Sequence, residues 1–531
     1  MKRKYSFGKR AAFAYFFVAL LMFICGARLV AVNLKGYGYT AAQQGRFSQT
    51  IYTHRGTIFD RSLKPLTNIE GNITASVAAT PQSIIALRDL LPESKYLSAL
   101  ERLESGKPIL LELQSRISAA GITYFDTYKR YSGLAPHIIG YLNGSGNGET
   151  GIEADWESLL ASDEKTTISY SCDAYGRALG GITPTIDGAE NKAAGSGIAL
   201  TIDYDVQQII EEETADLGCG AAVVLSPKGG EILAIHSFPA FNQNDPSASL
   251  SASDSPFLNR ALQGYNAGSV FKTCIAAAAL KMGLENSEYV CEGKMEVDGK
   301  EFVCNKASGH GAMSLSTALA HSCNVYFYSL ALSIPADKLY ETAEKMGISR
   351  EIKLSESIKT SGNNLPSAKE LNYAKAAIAN FAIGQGDIMV SPLNLAAAYS
   401  AIANGGTYYP PKLIAGIVEQ GKLSPTLPQQ GEQILSPEAC EAIKAALALT
   451  IREGTGQGAQ PEYSTAAGKT ATAQTGWKKG GQSVLISWFA GFFPADNPEY
   501  VIVVMKEGGT SGSRDCAPIF KKIADRIDLL G

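Results

Sequence analysis

Charge is scarce in this chain of 531 residues, and no sign dominates. Lys and Arg number 47 against 51 Asp and Glu, 18% of the residues in all, for a formal net charge of −4. That balance argues against nucleic acid as the main partner, because such partners call for a basic surface. Histidine is rare, with five in all, and no H-E-x-x-H pair is present. His54, His137, His236 and His321 lie in no recognisable triad and read as structural or surface residues. The nine cysteines are odd in number and scattered, which excludes a compact disulfide framework. Cys172, Cys219, Cys274, Cys440 and Cys516 show no metal spacing and read as buried small hydrophobes. There is no internal repeat and no low-complexity tract. Gly (53) and Pro (22) are ordinary, so a collagen-like or mainly disordered chain is excluded. What is present is 45% hydrophobic, over a length that predicts two or three domains with a large core.

Near the start, Lys2, Arg3, Lys4, Lys9 and Arg10 precede an uncharged run, Ala11 to Ala27 (AAFAYFFVALLMFICGA). At 1.5 Å per residue the run falls slightly short of a bilayer core, but Arg28 can snorkel and Leu29 to Val32 extend the apolar surface. The basic residues on one side predict a cytoplasmic tail over 1–10, a transmembrane anchor over 11–33, and the remainder outside the cell. A cleaved signal peptide is the other reading. No small-x-small site follows the run, and Ile24 before Cys25 is poor for a lipoprotein site.

Residues 34–195 read as one irregular α+β module, with a short helical stretch of mixed charge at Glu93 to Glu104 and turn-rich text from Leu142 to Gly151. Asp187 to Gly197 has linker composition. Over 196–531 the pattern strengthens. Ala221 to Ser226, Glu231 to Ser237, Leu485 to Phe493 and Tyr500 to Lys506 predict strands. Phe271 to Met282 is apolar on most sides and predicts a buried helix stopped by Gly283, and Ile519 to Leu529 a closing helix. Strands at both ends with helices between imply an α+β sandwich whose sheet joins distant segments.

A serine becomes a nucleophile only beside a base, and on a helix residues i and i+3 share a face. Ser269 and Lys272 (SVFK) have that spacing at the start of the predicted buried helix, where a lysine loses solvation and its pKa falls. S-x-x-K also occurs at Ser6 and Ser162, so the tetrad alone is weak. Ser322-Cys323-Asn324 follows inside another apolar stretch, and Lys469-Thr470-Ala471-Thr472 beyond it. Gly468-Lys469-Thr470 is not a P-loop: that motif needs Gly at 463, where Tyr463 stands, and no helix pattern follows.

In this order, S-x-x-K, S-x-N and K-T-x match the serine acyltransferases that react with penicillin. The chain resembles the class B penicillin-binding proteins of elongation or division type, which are monofunctional peptidoglycan D,D-transpeptidases. Further motifs carry the resemblance: Arg55 to Arg61 (RGTIFDR), Gly151-Ile152-Glu153, Leu200 to Asp203 with Gln207, Asn259-Arg260, Gly384-Gln385-Gly386 with Pro392, and Trp488 to Gly491 (WFAG). Two positions depart from the family pattern. Ala267 stands where Pro is usual, and Ala471 where Gly is usual, so the third motif reads K-T-A; the extra methyl would narrow the groove or alter β-lactam affinity.

The resemblance implies a penicillin-binding transpeptidase and serine β-lactamase-like fold over 196–531, with 34–195 as a dimerisation or pedestal-like module. It implies that Ser269 attacks the penultimate D-Ala carbonyl of a stem peptide, Lys272 takes its proton, Ser322 relays that proton to the leaving D-Ala, and Asn324 holds Lys272 and the peptide amide. Lys469 would supply positive potential and keep Lys272 neutral. Thr470 and Thr472 would bind the terminal carboxylate, with the backbone N–H groups of Ser269 and Thr472 as oxyanion hole. The partners implied are stem peptides, β-lactams, the cell membrane and a polytopic glycan polymerase, and no cofactor is needed for catalysis. A β-lactam sensor or hydrolase, or a non-catalytic scaffold of the same fold, is the alternative. The long module with its RGTIFDR box speaks against the first, and the intact catalytic set against the scaffold.

Cys291, Cys304, His310 and Cys323 follow C-x12-C-x5-H-x12-C. Three thiolates and an imidazole suit structural tetrahedral zinc, though the paired short spacers of zinc fingers are absent. Some rod-elongation members of the resembled family keep metal ligands near the second motif. A Cys291–Cys304 disulfide, or plain burial of Cys323, are the other readings.

Overall fold

The structure, a computed structural model, describes residues 4–34, 45–173, 175–179, 181–188, 195–479 and 481–530. The basic residues Lys2 and Arg3 and most of the expected linker at 187–197 lie outside them.

Lys4–Leu34 forms one helix, α1. Among the described residues, its segment Gly8–Val32 is the one stretch long and apolar enough to cross a membrane. Its 25 residues would span about 38 Å at the helical rise, more than a hydrocarbon core of about 30 Å. The uncharged run is thus lengthened at both ends by continuous helix.

The remainder does not divide at a single boundary between 195 and 196. One compact unit comprises Met1–His54, Glu70–Lys129 and Ser162–Lys192, and the other Arg55–Ile69, Arg130–Ala161 and Ala193–Gly531. In the smaller unit, β1 (Arg46–Arg55), β2 (Thr67–Val77), α2 (Pro81–Leu90), α3 (Glu93–Leu103), β3 (Ile109–Leu113), β4 (Ile122–Tyr131), β5 (Ala161–Ser171) and β6 (Thr185–Asp187) build two three-stranded sheets, ordered β1-β5-β6 and β3-β2-β4. Leu87 of α2 and Ala99 and Leu103 of α3 bury against Ala75, Val77, Ile109 and Leu113 of the second sheet.

Two stretches that precede residue 195 fold with the larger unit for physical reasons. Thr57–Phe59 pairs in parallel with Gly197–Leu200. The carboxylate of Glu153, fully buried, accepts from Arg55 Nε at 2.8 Å and Arg130 Nε at 2.7 Å. Arg55 also pairs with Glu157, and Arg130 Nη1 donates to the Gly56 carbonyl at 2.8 Å. This cluster joins the RGTIFDR and GIE segments. Glu153→Ala leaves the half-buried Arg130 without a carboxylate and the buried Arg55 with Glu157 as its one remaining carboxylate partner among the described residues, so the full chain is expected to lose roughly 3 kcal/mol in denaturant unfolding, the low end of the cost of breaking a buried pair, whereas removing an exposed pair such as Lys294–Glu301 should leave the unfolding curve unchanged.

The larger unit is built on β7 (Gly220–Leu225), β8 (Ile232–Phe238), α4 (Lys272–Lys281), α5 (Asn324–Leu332), α6 (Pro392–Ala403), α7 (Pro437–Arg452), β9 (Ala467–Lys479), β10 (Gln482–Phe493), β11 (Tyr500–Glu507) and α8 (Ala517–Asp528). The sheet is antiparallel throughout, ordered β8-β7-β11-β10-β9. Four of its strands match those expected. The fifth, β9, carries the third motif in a Gly, Ala, Thr and Lys-rich stretch without a strand pattern, and pairing with β10 imposes its conformation. Alternate residues serve two cores. Val501, Val503 and Met505 face one with the alanines of α4 and α6, while Ile502 and Val504 face the other with Phe520 and Ile523 of α8. Burial on both faces explains why these strands read as unbroken apolar runs.

Candidate active site

Gly268–Phe271 is a single 3-10 turn that runs directly into α4. In such a turn residues i and i+3 eclipse, so Ser269 and Lys272 lie on one face. Gly268, at φ +57°, begins the turn, and a side chain there would meet Ala473 Cβ at 3.1 Å and Ala471 Cβ at 3.5 Å, both on β9. From another direction the Gly268 N–H donates to the Gly384 carbonyl at 2.9 Å. A Cβ on Gly384 would come within 2.1 Å of the Gly268 carbonyl oxygen, which accounts for glycine at that position of the Gly-Gln-Gly motif. Trp488 Nε1 donates to the Asn266 carbonyl at 3.0 Å and steadies the approach to the turn.

Ser269 is half-buried, and Lys272 is fully buried beneath it. The Lys272 ammonium donates to the Ser322 carbonyl at 2.8 Å, Asn324 Oδ1 at 2.7 Å and Ser322 Oγ at 3.1 Å. Ser322 can turn both its oxygens to one nitrogen because its backbone is left-handed, at φ +56°, a conformation costly for a serine and held here by the surrounding fold. Residues 50 and 52 positions away are thereby gathered on one amine. Burial pushes the Lys272 pKa down to about 7. Lys469, also fully buried, extends from β9, with its amine donating to the Thr470 carbonyl at 3.0 Å. Its pKa is pushed well below the usual lysine range by burial and then by the charge of Lys272. The two amines therefore compete for a proton, and a charge on either disfavours one on the other.

Thr470 is buried, with its hydroxyl 2.7 Å from that of Thr455. Thr472 is exposed, and its hydroxyl accepts from the Gly512 N–H at 3.2 Å. Thr455 and Gly512 were not foreseen, since no local pattern marks them. Ala471 corrects an expectation: it is only 4% exposed and packs toward Gly268, so its methyl lies in the core beside the turn that carries Ser269 and does not narrow an open groove.

Cys291, Cys304, His310 and Cys323 converge, their ligand atoms all within 4.8 Å of one another. Two short ribbons, Tyr289–Cys291 with Gly311–Met313 and Lys294–Val297 with Lys300–Val303, carry the first three to the second motif. Cys304 Sγ lies 3.9 Å from Cys323 Sγ, and His310 Nδ1 lies 3.6 and 3.5 Å from Cys291 and Cys304. No disulfide joins the three cysteines in the structure. Of the other histidines, His54 Nε2 pairs with Thr166 Oγ1 at 3.0 Å, His137 Nε2 with the Pro256 carbonyl at 2.7 Å, and His236 Nδ1 lies 3.6 Å from Glu211, while the His321 ring stacks 6.2 Å from His310 beside the cluster.

Residues 220–525 match the family model of the penicillin binding protein transpeptidase domain. Stage V sporulation protein D of Bacillus subtilis is 29% identical over a 574-residue alignment covering 98% of this chain and 86% of that protein. The D,D-transpeptidase domain of a peptidoglycan glycosyltransferase from Eggerthella lenta superposes with a TM-score of 0.65 at 25% identity, covering 90% of this chain and 99% of that one. A chain of a peptidoglycan synthase complex, described for its coordination of polymerization and crosslinking, superposes with a TM-score of 0.68 at 24% identity, covering 98% of each.

Proposed function

The chain belongs to the penicillin-binding protein transpeptidase family, and from that membership we propose that it is a class B peptidoglycan D,D-transpeptidase, anchored in the cell membrane, that cross-links stem peptides through an acyl-enzyme on Ser269. The observation that carries the reading is the buried Lys272 amine one turn from Ser269, held by Ser322 and Asn324. A neutral amine has two N–H donors and one lone pair. The carbonyl oxygens of Ser322 and Asn324 take the donors, and the lone pair is left to accept a hydroxyl proton.

Lys272 in that state draws the proton from Ser269 as its oxygen attacks the penultimate D-Ala carbonyl. Ser322, 3.1 Å from the amine, is placed to pass the proton to the departing D-Ala nitrogen. Asn324 orients Lys272, and Lys469 lends positive potential to the site when it is protonated. Thr470 and Thr472 bind the terminal carboxylate, and the backbone N–H groups of Ser269 and Thr472 hold the oxyanion, an element worth roughly 10²–10³ in rate per donor. An amine of a second strand then releases the acyl group. Mass spectrometry of penicillin-treated protein tests the reading, with a single modified peptide containing Ser269 expected and an adduct elsewhere opposing it.

The basic flank of α1 supports an orientation with that end in the cytoplasm and the catalytic unit outside, and the smaller unit, with its two three-stranded sheets, suits a pedestal. The likeness to a synthase-complex chain supports a glycan polymerase as partner.

The acyl transfer needs no cofactor. The Cys291, Cys304, His310 and Cys323 cluster nonetheless suits structural zinc. Tetrahedral bonds of about 2.3 Å to sulfur and about 2.0 Å to nitrogen put thiolates about 3.8 Å apart and a thiolate about 3.5 Å from an imidazole nitrogen, close to the spacings here. The metal would brace Cys323, which lies between Ser322 and Asn324. Protein purified without chelator is expected to hold about one zinc per chain, and stripping it should lower the melting temperature and slow acylation. Absence of zinc with two thiols lost to oxidation would favour a disulfide instead.

A further inference from the structure

A cavity of about 790 Å³ lies beside the nucleophile turn, and nothing in the acylation chemistry uses it. Gln385, Gly386 and Asp387 form part of its wall, directly after the Gly384 carbonyl that holds the Gly268 N–H. Asn266 Nδ2 donates to the Gly386 carbonyl at 3.4 Å, and the Phe381 ring, another part of the lining, packs edge-on against Phe271 at 4.9 Å. The turn bearing Ser269 is thus gripped by β9 on one flank and by this cavity's wall on the other. Thr470 and Thr472 commit the β9 flank to the donor peptide, which leaves the second flank for the molecule that resolves the acyl-enzyme.

The lining suits a peptide that carries both an amine and a carboxylate. Asn380 and Gln385 offer amide groups to a peptide backbone, while the Asn364 amide donates to the Asp387 carbonyl at 2.6 Å and fixes the rim. Of the three charged residues, Glu370 is occupied, accepting from the Ser367 N–H at 2.8 Å and its hydroxyl at 2.7 Å. Lys369 and Asp387 are exposed at the rim and enter no ion pair among the described residues. The Tyr373 ring, also at the rim, is 92% exposed, a large apolar face left in water. The volume lies within the usual range of about 300–1,000 Å³ for ligand sites.

Resting on the transpeptidase reading above, we propose that this cavity is the acceptor subsite, in which Asp387 receives the ammonium of an incoming stem peptide and Lys369 one of its carboxylates. The ammonium gives one proton to solvent as it leaves Asp387. The neutral nitrogen then attacks the acyl carbonyl carbon, a C–N bond forms, the C–Oγ bond to Ser269 breaks, and one of the two protons left on the nitrogen passes to the serine oxygen while the other stays on the new amide.

The test uses the full-length protein in detergent, a D-Ala-D-Ala pentapeptide donor, and as acceptors tripeptide stems ending in L-lysine or meso-diaminopimelate. Asp387→Asn and Lys369→Gln are each expected to lower the ratio of cross-linked to hydrolysed product about tenfold, the scale of one lost charge-assisted contact. Penicillin acylation, donor hydrolysis and release of the acyl group by hydroxylamine, too small to need the cavity, should stay at wild-type rates. Unchanged cross-linking would overturn the proposal, as would a parallel fall in donor hydrolysis or hydroxylamine release, which would mark the residues as structural or donor-binding. Tyr373→Ala, at a side chain too exposed to matter for folding, repeats the test by raising the acceptor KM alone. If instead the unaltered protein takes up no penicillin at all, the transpeptidase reading fails and not merely this assignment of the cavity.

Discussion

A Ser269→Ala protein will capture no labelled penicillin and cross-link no stem peptide, while keeping its fold and melting temperature. The serine is half-buried in a tight 3-10 turn, and removing one hydroxyl there leaves the packing of Val270 and Phe271 untouched. The expected loss in acyl transfer is roughly 10⁶-fold, the scale seen when a serine nucleophile is deleted from an otherwise intact site. Gel fluorescence with a labelled β-lactam reads this directly. Covalent labelling that survived the substitution would remove Ser269 from the chemistry altogether.

Lys272→Ala should be the next most damaging change. Loss of a positioned general base costs about 10²–10⁴-fold, and here the same change also frees the oxygens of Ser322 and Asn324 that the amine gathers. The pH profile separates the base from a merely structural role. Burial lowers the pKa of Lys272 to about 7, so the neutral, proton-accepting amine is present above that pH and lost below it. Acylation by the unaltered protein should therefore rise about tenfold per unit up to pH 7 and level off above it, whereas the residual rate of Lys272→Ala should show no such limb. A profile that kept the same rise without Lys272 would point to a different group. Lys469 complicates the midpoint but not the direction, because burial pushes both amines down, and the charge of Lys272 pushes Lys469 further.

The K-T-A departure illustrates how chemistry and geometry divide. Counting atoms suggested that a methyl at Ala471 crowds the substrate. On β9 that side chain instead turns inward, toward Gly268, and helps set the spacing between the strand and the nucleophile turn. Similarly, the RGTIFDR and GIE segments stood out as patterns, yet nothing local announced that Arg55, Arg130 and Glu153 share one buried cluster. Strand β9 escaped notice because its Gly, Ala, Thr and Lys residues have little strand preference of their own, and pairing with β10 supplies it.

Residue order alone was enough to bring Ser269 and Lys272 to one face, because one helical turn fixes where i and i+3 lie whatever surrounds it. It was enough for the apolar strands as well, since burial on both faces demands continuous hydrophobic runs. Long-range packing had to settle the rest: the left-handed backbone at Ser322 that presents two oxygens to Lys272, the meeting of His310 with three distant cysteines, and the cavity behind Gln385. Such features depend on contacts between segments tens to hundreds of residues apart, and no short-range rule of spacing encodes which of those segments will touch.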